Sequence, residues 1–220
     1  MQEFFEAIKA GDGDRVSALL DADASIADAK DERGLSPLTV AAYHRKEDIV
    51  DLLERRGAKL DIFAAAILGR TQRVNELASG NRSLARAYSS DGWTALHLAA
   101  FFGHRDAAAA LLAKGAEVRA RSTNPMQNTP LHAAAAGRHA ELAKLLIDHG
   151  ADVNARQHGG WTALHAAAQS GDAAVARLLI DNGADVATRA DNNQNALDLA
   201  LTKGHQQLVN LLESSGASLS

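Results

Sequence analysis

Apolar and polar positions follow a helical period that restarts at nearly constant intervals, which predicts pairs of short helices. The clearest unit reads Asp91-Gly92-Trp93-Thr94-Ala95-Leu96-His97-Leu98-Ala99-Ala100, then Gly103-His104, Leu111-Leu112 and Gly115-Ala116. With Thr94 as marker, the frame returns at Thr129-Pro130-Leu131-His132, Thr162-Ala163-Leu164-His165 and Asn195-Ala196-Leu197-Asp198, in steps of 35, 33 and 33 residues. Each Thr can cap the free amides of a first helix, and Pro130 stands where a missing N–H costs nothing. Small residues such as Ala99-Ala100 let neighbouring helices approach closely. Gly103, Gly171 and Gly204 end that helix with a left-handed cap. The second helix carries paired leucines, Leu111-Leu112, Leu145-Leu146, Leu178-Leu179 and Leu211-Leu212, expected to form the core. After it, words such as Gly150-Ala151-Asp152-Val153-Asn154-Ala155 lead through a polar stretch whose length fits a projecting hairpin.

The earlier part of the chain follows the same frame less regularly. Phe4, Phe5, Ala7 and Ile8, then Val16, Leu19 and Leu20, predict two short helices joined by a turn at Gly11-Asp12-Gly13. Gly34-Leu35-Ser36-Pro37-Leu38-Thr39 begins a second unit. In the third, Ile62 follows Gly57 by only five residues, whereas Leu131 follows Gly115 by 16, so one connecting hairpin is missing. A shift of 58 residues maps Gly11 on Gly69, Val16 on Val74, Gly34 on Gly92 and Gly57 on Gly115 without a gap, as in a duplicated pair of units. The missing hairpin is expected to interrupt the finger row near Leu60.

Composition narrows what such an array can do. The chain is 46% hydrophobic but only 4% aromatic, so Ala and Leu supply the core of thin, closely packed helices. A net charge of -4, with no basic cluster, argues against nucleic acid. There is no Cys, which removes disulfides, thiolate metal sites and cysteine nucleophiles. No apolar run reaches the roughly 20 residues of a spanning helix, and the start lacks a signal-peptide run. A soluble, cytoplasmic protein is expected, without membrane association.

The period of 33 and the Thr-Pro-Leu-His word at Thr129–His132 resemble the ankyrin-repeat family over about residues 4–217. The resemblance implies an all-α, curved ankyrin-repeat solenoid of helix-turn-helix pairs with β-hairpin fingers. Its concave face of fingers and first helices would bind other proteins. About seven repeats are expected, degenerate in the first and third, in a single domain 1–220, with units near 1–30, 31–60, 61–88, 89–120, 121–155, 156–187 and 188–220.

Chemistry has little room in this frame. His97, His132 and His165 recur in successive repeats, about 8–10 Å apart at helix-packing distance, too far for a shared ion at about 2 Å per ligand. By the resemblance they are structural hydrogen-bonding residues. His104, His139 and His205 lie at the helix-to-helix turn and read as solvated or capping. Asp152, Asp185 and Glu117 are period-matched finger residues, and no phosphate-loop signature occurs. No catalytic, metal-binding or cofactor-binding residue is assigned, and no enzyme activity or cofactor is expected.

Residues that depart from the frame are therefore the candidates for function. Trp93 and Trp161 precede the capping Thr and are expected near finger tips, either as exposed anchors or packed between fingers; Tyr88 shares the finger of Trp93. Phe101 and Phe102 end a first helix, and packing under the neighbouring repeat is expected for Phe101. The finger before Thr129 is two residues longer than its neighbours and carries Arg121, Asn124, Pro125, Met126 and Gln127. His158, Gln169 and Asn193 complete the set along later units. Rigid aromatic and adaptable Met side chains are favoured interface anchors. The expected function is a non-catalytic scaffold or adaptor that binds a partner protein and is itself a monomer rather than a homo-oligomer. The alternative is a structural or regulatory subunit of an obligate complex or homodimer.

Overall fold

The computed structural model describes residues 1–218; the last expected unit runs to 220, so its final two residues lie outside the described residues. Among the described residues the chain forms fourteen α-helices in consecutive pairs. These are α1 (Gln2–Ala10) with α2 (Gly13–Ala22), α3 (Pro37–Tyr43) with α4 (Glu47–Arg55), and α5 (Ile62–Ile67) with α6 (Thr71–Gly80). Then follow α7 (Ala95–Phe102) with α8 (Arg105–Ala113), α9 (Pro130–Gly137) with α10 (Ala140–Asp148), α11 (Ala163–Ser170) with α12 (Ala173–Asp181), and α13 (Ala196–Lys203) with α14 (Gln206–Ser214). Odd-numbered helices pack on one another as an inner row and even-numbered ones as an outer row.

The 58-residue shift is visible element by element. α2 starts at 13 and α6 at 71, α3 at 37 and α7 at 95, and α4 at 47 and α8 at 105. Short 3₁₀ turns at Ala24–Asp28 and Arg82–Arg86 keep the same offset, and Asp23 and Asn81 each cap theirs by accepting the amide of Ser25 and of Ser83.

The leucine pairs divide their work. The residue four before the terminal Gly, namely Leu53, Leu111, Leu146, Leu179 and Leu212, is completely buried, while Leu112, Leu145 and Leu178 are half-buried. Leu111-Leu112 is thus one position out of register with Leu145-Leu146; distance from the Gly, not the doublet, identifies the core residue.

The fingers are turns, not paired strands. A lone antiparallel bridge, Tyr88 with Thr94, is the strand-like pairing found among the described residues. Each finger is closed by a backbone bond, from Asp31 N to Leu35 O, Ser89 N to Trp93 O, Gln157 N to Trp161 O, and Ala190 N to Gln194 O, all 2.8–3.0 Å. In the long finger the bond spans Ser122 to Asn128 and encloses the two additional residues. Successive fingers are tied by one further bond each: Thr123 N to Gly92 O, His158 N to Met126 O, and Asp191 N to Gly159 O, each 2.9 Å. Gly92 shows why the contact needs glycine. Its φ is +85°, and a Cβ there would lie 2.6 Å from the Asn124 amide nitrogen.

The missing hairpin does not leave the expected gap near Leu60. Finger 31–35 reaches finger 89–92 directly: Gly34 abuts Ser90, and the Tyr43 hydroxyl donates to Asp91 Oδ2 at 2.9 Å. On the opposite side α4 and α6 scarcely touch, and a cleft of about 470 Å³ beside Glu54, Leu60, Arg70 and Arg73 opens between them. The core divides at the same place into two clusters, joined through Tyr43, Leu60 and Leu68. Deleting one spacer therefore closes the finger edge and opens the outer edge, making a wedge in the stack.

Candidate interaction surface

The surface is built on the caps of the inner helices. At α7 the Thr94 amide N–H points to His97 Nδ1 at 3.4 Å, the Thr94 hydroxyl lies 2.8 Å from the same nitrogen, and His97 N–H donates to Thr94 Oγ1. His97 Nε2 is 3.0 Å from the carbonyl of Asn128 in the next finger. A carbonyl only accepts, so Nε2 carries the proton and Nδ1 receives those of Thr94. The same arrangement joins Thr129, His132 and Trp161 O, and Thr162, His165 and Gln194 O. Each of these histidines clips its repeat to the next finger. Burial holds His97 and His132 down to about 4, against the attraction of the carbonyl each bonds, and lowers His165 in the same direction.

A second row was hidden from the sequence. His104 Nε2 donates to Ile67 O at 2.7 Å, His139 to Phe101 O at 3.0 Å, and His205 to Gln169 O at 3.4 Å. These residues are not merely solvated; they tie each turn back to the end of the preceding inner helix. In repeat six Asp172 takes the place and caps α12 instead. A third row runs along the fingers, where Arg121 Nη1 donates to Arg156 O at 2.9 Å and Arg156 Nη2 to Arg189 O at 3.0 Å.

The selected residues now divide by environment. Tyr88, Phe101 and Met126 are 42%, 47% and 50% exposed, which places three large apolar groups in solvent on the finger and inner-helix side. Phe101 thus corrects the expectation that it packs away. Phe102 is the less exposed member of the doublet, half-buried with its ring 6.1 Å from that of Tyr43. Trp93 and Trp161 are half-buried rather than at finger tips, their rings each 5.7 Å from those of His97 and His165. The finger register explains this: both lie at the closing bond of the finger, one residue from the cap, where the ring covers the clip histidine.

Arg121, Pro125, Gln127, His158, Gln169 and Asn193 are exposed, and Asn124 is half-buried, its Nδ2 donating to Asp91 O at 3.2 Å. Gln127 and Asn193 take left-handed backbone at φ +49° and +67°. Phe101, Met126 and Trp93 converge on one cavity, whereas Trp161, Gln169 and Asn193 lie on later repeats and do not contribute to it. Asn128, in the frame position of Trp93 and Trp161, lines this cavity and was missed; the exchange of Trp for Asn before a capping Thr was its signal in the sequence.

A family model described as ankyrin repeats in three copies matches residues 62–157, 119–190 and 156–220. The chain belongs to the ankyrin-repeat family. Ankyrin repeats generally mediate protein–protein interactions and are typically non-catalytic binding modules. Among curated proteins, none matches the chain. In this ankyrin-repeat chain no group of three or more His, Asp or Glu could hold a metal ion among the described residues, and no helix there is long and apolar enough to cross a membrane.

Proposed function

We propose that this chain is a non-catalytic adaptor that binds a partner polypeptide through the fingers and inner-helix ends of repeats four to seven. The exposure of Phe101 and Met126 beside a single apolar cavity is the observation that carries this reading. Large exposed apolar groups that converge on a concave site are costly to leave in water and mark surfaces for association. The clip histidines and buried leucines account for the repeating frame, so these departures are the residues free to serve a partner.

Phe101→Asp combined with Met126→Asp is expected to weaken binding of the native partner at least about tenfold, because a desolvated anchor is worth about 1.4 kcal/mol or more. The melting temperature should change by no more than about 2 °C, as both side chains are surface groups. Titration of the purified partner against both proteins, with thermal melts alongside, checks this. Unchanged affinity would remove the surface from the account, and equal loss of affinity and stability would make the two residues structural.

A further inference from the structure

From repeat three onward, neighbouring repeats are tied by donors that reach a backbone carbonyl across the junction. Between repeats three and four, His104 Nε2 reaches Ile67 O and Arg86 Nε reaches Gly115 O. Each later junction carries both a clip histidine and a finger-to-finger backbone bond. Between repeats two and three, no hydrogen bond to a backbone group crosses among the described residues.

The sequence accounts for each loss. Thr39 stands 58 residues before the clip residue His97, and its hydroxyl lies 2.8 Å from Ser36 Oγ, within its own repeat. Arg70 follows Gly69 as His104 follows Gly103, but its guanidinium turns to Glu54 at 3.8 Å instead of to a carbonyl. The finger that would carry the third tie is the deleted one. Packing is loose at the same boundary. Besides the 470 Å³ cleft on the outer edge, a second of about 240 Å³ is lined by Lys46 and Val50 of repeat two and by Leu68, Phe102 and His104 beyond it. Open space there forfeits dispersion contacts. What crosses, beyond the packing of α3 on α5, is side chain to side chain. Ser36 Oγ lies 3.4 Å from Asp61 Oδ2, Lys30 Nζ lies 3.9 Å from the same oxygen, and the Tyr43 hydroxyl donates to Asp91 Oδ2 at 2.9 Å. Of these the Tyr43 bond is the short one. It is charge-assisted, and Ser89 Oγ holds the other Asp91 oxygen in place.

We propose that residues 1–57 open from the array as one unit ahead of the rest of the chain, with the Tyr43–Asp91 bond as the latch that holds them closed. In a one-dimensional stack, stability is the sum of repeat and interface terms, so the array parts at its weakest interface. The two-repeat side opens first because it holds the smaller of the two core clusters. Repeat three stays with the later repeats, since Ile62, Val74 and Ala78 belong to their core.

The test uses the full chain. In residue-resolved native-state hydrogen exchange, the amides of α1 to α4 should share one opening and exchange at least about tenfold faster than those of α7 to α12, after correction for intrinsic rates. Urea should remove helicity in two steps, with fluorescence of Trp93 and Trp161, both beyond the boundary, following only the second. Leu53→Ala, at a completely buried site of the first unit, should move or abolish the first step alone. Tyr43→Phe, which keeps the ring beside Phe102, should lower the first midpoint by roughly 0.5–1 M and leave the second in place. Coincident helicity and fluorescence transitions, uniform protection, a protection step at another junction, or a second step moved by Leu53→Ala would overturn the separate unit. A first midpoint unmoved by Tyr43→Phe, or a second midpoint moved by it, would overturn the latch.

Discussion

Lowering the pH from 7 to 5 is expected to destabilise the folded chain by about 4 kcal/mol, from His97 and His132 alone. Both are buried, and burial holds both near 4. In the unfolded chain they titrate near about 6.5. Between these values the unfolded state binds protons that the folded state refuses, so stability is present above pH 6.5 and is lost as pH falls towards 4. The geometry makes the refusal specific. A proton on Nδ1 would face the Thr94 or Thr129 amide, itself a donor, while Nε2–H is already committed to a carbonyl. Neighbouring charge does not help: His97 faces His132, and His132 faces Arg121 and His165. Thermal melts at pH 7, 6 and 5 should show the melting temperature falling by on the order of 10 °C. His132→Thr, which copies Thr39 of repeat two, should remove about half of the dependence. A flat profile over this window would mean that the clip histidines accept protons in place.

Leu146→Ala should cost about 2–5 kcal/mol, the range for a fully buried leucine. The residue is completely buried in α10, between α8 and α12 in the outer row, so its loss weakens two neighbouring interfaces of a one-dimensional stack. Leu145→Ala, at the half-buried position, should cost less than about half as much, because less area leaves water there. Urea unfolding of the two variants separates them. Equal losses would contradict the assignment of the core position by its distance from the terminal Gly.

The difference between these two leucines shows what a sequence can carry. The repeating Thr, His, Leu and Gly positions are local signals, each fixed by a cap, a helix period or a left-handed turn, and so the helix pairs and their family were legible. Contacts between repeats were not. The bond from His139 to Phe101 O links residues 38 apart, and that from His104 to Ile67 O residues 37 apart; neither follows from a helix pattern without the stacking register. The missing hairpin could be counted in the sequence, but its consequence depended on geometry, since removing a spacer brought its neighbours together and opened the outer row. The exposure of Phe101 and the half-burial of the tryptophans were likewise decided by neighbours in space. Asn128 lay within reach of sequence reasoning, because it breaks the Trp-Thr word at Trp93-Thr94 and Trp161-Thr162.

A photo-crosslinking amino acid placed at Phe101, and separately at the exposed Glu141 of α10, addresses the central claim in native extract. The account predicts one discrete partner adduct from position 101 and none from position 141, with the adduct suppressed by Met126→Asp. Adducts formed from position 141 alone would contradict it and move the interface to the outer helices.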